Sequence, residues 1–206
     1  MLFRSTAAVY WQDGQVQRIE AVDDLGGTVA GAVAVSQNGT IVGYSNTSEL
    51  QAIQPFRWRP PDPVELLPTL VEGHVGAPQD VNDAGVTVGR DGAPLPDAIN
   101  AAVYWDEDGA IHRLPGLHDT PDINPLAINN RGVIVGEEMT PDFIASEARL
   151  WLDGEVHDVQ DMVALPPEYR LTSAVDINDS DEVLAIAAVD DDGPIRRVTL
   201  LLRLDL

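Results

Sequence analysis

The 206-residue chain is 44% hydrophobic and carries 34 acidic against 12 basic residues, which gives a net charge of −22. A charge of this sign and size repels phosphate backbones and anionic membrane surfaces, so nucleic acids and membranes are excluded as expected partners. The chain has no Cys, which excludes disulfides and thiolate chemistry, and no Lys, which excludes Schiff bases.

The chain begins with a predicted β-hairpin, in which residues 3–11 form a strand that ends in Trp11, residues 12–15 turn, and residues 16–19 return. The same pattern recurs at Trp58, Trp105 and Trp151, so that successive tryptophans are 47, 47 and 46 residues apart. We call this element the Trp hairpin. Its indole rings are expected to have a structural role and to pack between repeat units.

A second hairpin, which we call the Asn hairpin, occurs at residues 34–43, 80–89 and 127–136 and, in altered form, at residues 176–185. Each copy has an apolar strand, an Asn- or Asp-rich turn and a β-branched strand. Gly39, Gly85 and Gly132 occupy the same turn position and are 46 and 47 residues apart, while the fourth copy has Asp181 there. A left-handed backbone conformation is expected at all four positions.

Both hairpins share one period, so each repeat unit has four strands. The units cover about residues 7–45, 55–91, 101–138 and 148–190, and a closing strand follows at residues 195–206. One four-stranded sheet cannot bury both of its faces, and stacked sheets satisfy this need by closing into a ring. We therefore predict a single all-β domain over residues 1–206. It is a small β-propeller with four blades of four antiparallel strands, whose ring closes by pairing the N- and C-terminal strands.

The combined pattern resembles the bacterial HAF repeat family of extracellular repeat proteins. The pattern is Ile/Val-Asn-x-x-Gly-x-Ile/Val-Val-Gly, then a small-apolar-Trp strand and x-Asp-Gly-x-Val, and it covers residues 7 to about 186. Residues 24–27 (Asp-Leu-Gly-Gly) resemble a shortened Asp-Leu-Gly-Thr-Leu-Gly-Gly segment of that family. The His-Ala-Phe triplet that names the family is replaced at residues 8–10, 55–57, 102–104 and 148–150. The resemblance implies a propeller-like β fold and often secretion, and it implies no established activity.

Polar residues follow the Val-Gly end of the Asn hairpin in three units. Tyr44, Arg90 and Glu137 occupy equivalent positions, and Glu138 comes next in the third unit. Equivalent positions in a pseudosymmetric ring lie at similar radii. We therefore predict that these four residues line one shared ligand-binding surface.

Two histidines lie in the loop that joins the Trp hairpin to the Asn hairpin. These are His74 and His118, and His118 is followed by Asp119. In a closed ring they are expected to converge near one face, as ligand-binding or acid–base groups or as solvated loop residues. The acidic turns at residues 176–182 and 190–193 lack the spacing of a calcium loop, and we predict neither a metal site nor a cofactor.

These features favour a binding module whose divergent loops recognise a small molecule, a glycan or a cationic peptide. The alternative is a non-hydrolytic enzyme, an isomerase, cyclase or lyase of specialised metabolism. In that case Glu137 or His118 is the base at the central channel, and Arg90 or Tyr44 orients the substrate. A third possibility is assembly through the terminal strands, so the protein is a monomer or a homo-oligomer. No membrane span or signal peptide is recognised, and a soluble protein is expected, with the cytoplasm slightly favoured over secretion.

Overall fold

The described residues of the chain form five antiparallel β-sheets, which confirms the predicted all-β, propeller-like architecture. The computed structural model describes residues 8–12, 14–19, 30–46, 53–92, 100–118, 122–191 and 193–206. Within these ranges the helical structure is one 3₁₀ turn, Val159–Met162. No helix in the described ranges is long and apolar enough to cross a membrane.

Three sheets have four strands each in simple meander order, as the repeat predicts. The first sheet comprises β3 (Ala30–Val35), β4 (Ile41–Asn46), β5 (Ile53–Trp58) and β6 (Glu65–Leu66). The second comprises β7 (Val75–Val81), β8 (Thr87–Gly92), β9 (Asn100–Trp105) and β10 (Ile111–Arg113). The third comprises β11 (Ile123–Ile128), β12 (Ile134–Met139), β13 (Ser146–Leu152) and β14 (Glu155–Asp158).

The two ends of the chain form smaller sheets. The fourth sheet has three strands, β15 (Tyr169–Ile177), β16 (Glu182–Val189) and β17 (Arg196–Arg203), and the N-terminal hairpin consists of β1 (Val9–Gln12) and β2 (Gln15–Arg18). In each of the four numbered sheets, the first two strands are the Asn hairpin and the third is the Trp-type strand.

The Asn turns have the predicted backbone conformation. The φ angles are 87° at Gly39, 88° at Gly85 and 81° at Gly132, and Asp181 has φ of 57° in the altered fourth copy. Asp is one of the few residue types that enters this region at modest cost. The expectation of four left-handed turn positions is therefore confirmed.

The glycine that ends the Val-Gly pattern is required for a different structural reason. In each of the three four-stranded sheets the pairing of the first two strands slips by one residue, and in the third sheet the slip falls between Pro125 and Ala127. This β-bulge brings the carbonyl oxygen of Asn124 so close to Gly136 that an added Cβ atom would lie 2.1 Å from it. Gly136 is therefore required by a close approach between strands rather than by a turn.

The sheets pack in sequence, because the first strand of each sheet lies across the preceding sheet. β7 contacts the first sheet, β11 the second and β15 the third. Two of the tryptophans are fully buried in this arrangement, Trp105 and Trp151, and each Nε1–H donates a 2.7 Å hydrogen bond to a proline carbonyl oxygen. Their predicted structural role is confirmed, whereas Trp11 differs from the expectation because it is 71% exposed.

The predicted closure of the ring is not observed in the described strands. β1 pairs with β2 alone, and β17 pairs with β16 alone along eight residue pairs. β17 therefore occupies the edge of β16 that an N-terminal strand would need. No extensive packing joins the described parts of the first and fourth sheets. Leu184 of β16 is accordingly 39% exposed, although its counterparts Val42, Val88 and Val135 are fully buried by the next sheet.

Candidate functional site

The third sheet contains a buried arginine where the other sheets have apolar residues. Arg149 lies two residues before Trp151, and the corresponding positions before Trp58 and Trp105 are Phe56 and Val103. The Arg149 side chain is only 1% exposed. Because burying an unpaired charge is very costly, the surroundings of Arg149 must supply anions.

Three carboxylates surround this guanidinium. Nε of Arg149 donates to Oε2 of Glu138 at 2.7 Å, Nη1 lies 3.1 Å from Oδ2 of Asp158, and Nη2 donates to Glu147. Glu138 is fully buried, while Glu147 and Asp158 are a little over one quarter exposed. With one cation and three anions, the cluster has a surplus of negative charge on its solvent-facing side.

The contacts keep the cluster charged. Burial opposes ionisation of Glu147, but hydrogen bonds from His118 and Arg149 outweigh it and hold the pKa of Glu147 below its ordinary value. Burial likewise acts to lower the pKa of Arg149, and the hydrogen bonds to Glu138 and Glu147 raise it overall. Both side chains are therefore ionised at neutral pH.

Glu138 also holds the loop that precedes its sheet. Its Oε1 accepts a 2.8 Å hydrogen bond from the backbone N–H of His118, and its Oε2 accepts one of 3.1 Å from that of Leu117. With its oxygens engaged inside the protein, Glu138 does not lie on the predicted ligand-binding surface.

The second sheet repeats this arrangement with a different carboxylate. Buried Asp91 accepts a 3.1 Å bond from the backbone N–H of Leu70 and lies 2.7 Å from Nδ1 of His74. His74 is therefore anchored by the carboxylate of its own sheet, as the loop of His118 is in the third. His74 and His118 are thus held by carboxylates of different sheets.

His118 belongs to the Arg149 cluster. Its Nε2 lies 2.8 Å from Oε2 of Glu147 and 3.1 Å from Nη2 of Arg149. Glu137, the other predicted base, precedes Glu138 on β12 and therefore points to the opposite face of the sheet. There its Oε1 lies 3.5 Å from Nδ2 of Asn124. The structure thus does not bring Glu137 and His118 together.

The residues predicted to line one shared surface lie instead at separate contacts between successive sheets. Tyr44, Arg90 and Glu137 occupy equivalent strand positions, but each lies on the face that its sheet turns towards the following sheet. Nε of Arg90 is buried without a hydrogen-bond partner among the described residues. Asp119 and the residues 24–27 lie outside the described ranges.

A cavity of about 290 Å³ opens beside the Arg149 cluster. The carboxylates Glu147 and Asp158 line it, together with Gln160, Tyr169 and the exposed Arg170; the remaining lining residues are Leu165, Pro166, Pro167 and Leu171. Asp158 also caps the 3₁₀ turn, because its Oδ1 accepts a 2.8 Å bond from the backbone N–H of Gln160. Sequence reasoning missed Arg149, Glu147 and Asp158, although an Arg in an otherwise apolar strand position was the available signal.

A second polar cavity, of about 260 Å³, lies where the Asn turns of all four numbered sheets meet. The backbone N–H of Ile128 donates to Oδ2 of Asp80 at 2.9 Å. Burial raises the pKa of Asp80 despite this bond, and the charge of Asp176 adds to the rise. No group of three or more His, Asp or Glu side chains in the described ranges is arranged to hold a metal ion.

Neighbouring Asn turns are joined by hydrogen bonds between the sheets. The backbone N–H groups of Asp83 and Asn130 each donate, at 2.8 Å, to the side-chain oxygen of the equivalent residue in the next turn. The backbone N–H of Asn38, which lies one position further along its own turn, donates at 2.8 Å to Oδ1 of Asp83. The last acceptor in this series is Asp179. The polar residues around this cavity therefore join one sheet to the next.

Comparison with protein-family models gave no match for this chain. Comparison with curated proteins gave none either. Among solved structures, the X-ray structure of a proposed gluconolactonase is similar over 95% of this chain and 71% of that chain, with a TM-score of 0.45 and 16% sequence identity. At this level of similarity, no activity or site residue is transferred to the present chain.

Proposed function

We propose that the protein is a binding module that recognises a cationic group, a guanidinium or an ammonium on a peptide or small molecule. The observation that supports this proposal is the surplus of carboxylates around Arg149 at the edge of a cavity. Glu138 pairs with Arg149 in the interior, and Glu147 and Asp158 then present the unbalanced negative charge to the 290 Å³ space.

The carboxylates retain the capacity to accept a ligand. Oε1 of Glu147 accepts no hydrogen bond from another described residue, and each ionised carboxylate has about four lone-pair sites. The ring of Tyr169 lines the same cavity, and aromatic faces attract cations. Charge-assisted hydrogen bonds to a guanidinium are about twice as strong as neutral ones.

Isothermal titration calorimetry with Nα-acetyl-arginine amide and its uncharged isostere Nα-acetyl-citrulline amide, called arginine amide and citrulline amide below, tests this function. Arginine amide is expected to bind at low ionic strength and more weakly as salt is added, whereas citrulline amide is not expected to bind. The Glu147→Gln and Asp158→Asn variants are each expected to lose about 10-fold or more in affinity, which corresponds to one charge-assisted bond.

The matched control is Glu155→Gln, which removes one negative charge from an exposed position on β14 outside the cavity. Equal binding of the two amides, or an equal loss in the control variant, contradicts a charge-specific site at Glu147 and Asp158. Thermal denaturation of each variant shows whether the fold is retained.

The enzyme alternative and membership of the HAF repeat family stay predictions. Glu147 is an unsuitable general base at neutral pH, because its pKa is held below the ordinary value and its basicity is correspondingly low. Glu137 and His118, the two alternative bases of the enzyme hypothesis, have separate surroundings: His118 lies against Glu147 and Arg149, and Glu137 lies against Asn124.

A further inference from the structure

A third cavity, of about 650 Å³, lies between the N-terminal hairpin and the first sheet. Its walls are the strands β1 and β3, with the Asn turn of the first sheet and residues 59–60 at the rim. The apolar side chains along it are unusually exposed, because Trp11 is 71%, Val33 43% and Val35 64% accessible. Apolar surface of this kind, gathered around one cavity, indicates an interaction site.

The strand pairing shows which element is missing beside this cavity. In the three complete sheets the Trp-type strand is paired on both edges: β5 with β4 and β6, β9 with β8 and β10, and β13 with β12 and β14. β1 is also a Trp-type strand, but among the described strands it pairs with β2 alone. Among the described strands, the second edge of β1 therefore has no partner for its backbone donors and acceptors.

The packing between successive sheets also indicates which element is missing beside β1. In the third sheet, β12 pairs with the Trp-type strand β13, and β11, β12 and β13 all contact the next first strand, β15. The cavity is lined by the Trp-type strand β1 and the next first strand, β3. In the third sheet, the Asn hairpin is the element that adds to the Trp-type strand and also packs against the next first strand.

We propose that this cavity binds an Asn hairpin supplied by another polypeptide that carries the same repeat. The second strand of the incoming hairpin adds antiparallel to β1, and its first strand packs against β3. The register follows from the third sheet, where Ile134 is paired with Trp151. Trp11 accordingly stands opposite the residue equivalent to Ile134.

The fourth Asn hairpin of the same chain is not available for this role. β17 is paired with β16 along its whole length, from Arg196 to Arg203, and occupies the edge that β1 would use. A full second copy cannot dock its fourth sheet here either, because β17 would occupy the position already held by β1. The occupant is therefore a hairpin with a free outer edge.

The charge around the cavity is compatible with an acidic hairpin. None of the described lining residues is acidic, and Arg59 is the one charged residue among them. The chain has a net charge of −22, but the described lining of this cavity carries no negative charge that would repel an acidic hairpin. This proposal does not depend on the cationic-ligand site, which uses other residues of the third sheet.

A synthetic peptide of residues 123–139, which forms the Asn hairpin of the third sheet and contains no Trp, is a suitable probe. Added to the full chain, it is expected to bind in calorimetry and to shift Trp fluorescence to shorter wavelength as Trp11 becomes covered. A scrambled peptide of the same composition is expected to do neither. Absence of binding, or equal binding of the scrambled peptide, overturns the proposal.

Two matched variants locate the binding surface. Val35→Glu places a charge in the cavity, and it is expected to weaken peptide binding by about 10-fold or more. Leu201→Glu makes the same change at an exposed β17 position, 69% accessible, and is expected to leave binding unchanged. Equal effects of the two variants refute the location.

The variant Trp11→Phe separates binding from its signal. It is expected to keep the calorimetric binding and to lose most of the fluorescence shift, since the other tryptophans lie outside the cavity lining. A shift that persists undiminished in this variant places the peptide elsewhere and contradicts the assignment.

Discussion

Replacement of Arg149 by Val is expected to destabilise the domain strongly, although Val is the residue that the second sheet has at this position. The change leaves Glu138 fully buried without its cation. Removing one partner of a buried ion pair costs about 3–5 kcal/mol, because the remaining charge is uncompensated. Glu147 and Asp158, which are partly exposed, can turn towards solvent and add little to this loss.

A second substitution provides the control. The first sheet combines Phe56 with Ser45 where the third combines Arg149 with Glu138. The double variant Arg149→Val, Glu138→Ser removes the buried charge, at the expense of the two loop hydrogen bonds that the Glu138 carboxylate accepts, each of about 1.5 kcal/mol. The double variant is therefore expected to be about 1 kcal/mol more stable than Arg149→Val alone.

Urea denaturation followed by circular dichroism measures both free energies of unfolding. A loss of less than about 1 kcal/mol in Arg149→Val would show that Glu138 is not left as an uncompensated buried charge. A double variant that is no more stable than the single one would show the same. A change in the slope of the denaturation curve would show that the compactness of one state has changed as well.

Two further predictions concern backbone conformation and pH. Gly132→Val is expected to lose about 1–3 kcal/mol in urea denaturation and Gly132→Asn distinctly less. An added Cβ at Gly132 has no heavy atom within 4 Å, so the cost comes from the φ of 81°, which Asn tolerates better than Val. Equal losses of stability in the two variants would refute this explanation. The depressed pKa of Glu147 means that the folded state binds fewer protons than the unfolded state. Its contribution to stability is therefore present above the ordinary glutamate pKa and lost as the pH falls through the lower, folded-state pKa. Stability curves against pH should show a smaller acid loss for Glu147→Gln than for the unaltered protein, and parallel curves would contradict the assignment.

Local features of this protein could be predicted from its sequence, because they depend on few neighbouring residues. The period of the tryptophans gave the four-strand unit, and the glycine of the Asn turn gave the positive φ at Gly132. Even the replacement by Asp181 agreed with the backbone conformation found there. Strand periodicity and turn chemistry act over four to ten residues, and four copies of the pattern reinforced each inference.

Pairings between distant segments were decided only by the tertiary structure. The sequence predicted that the N- and C-terminal strands pair with each other, and β1 and β17 are both Trp-type strands with similar apolar patterns. The structure places β17 beside β16, and closing a connection of a few residues costs far less entropy than bringing the two ends of the chain together.

The candidate site depended on the same kind of information. Arg149 stands out in its strand, but the sequence does not show that residues as distant as His118 and Asp158 surround it. Neighbouring strand residues also point to opposite faces, so Glu137 and Glu138, adjacent in the chain, lie in different environments. Side-chain direction and the packing of whole sheets, rather than residue type, decide which charged groups meet.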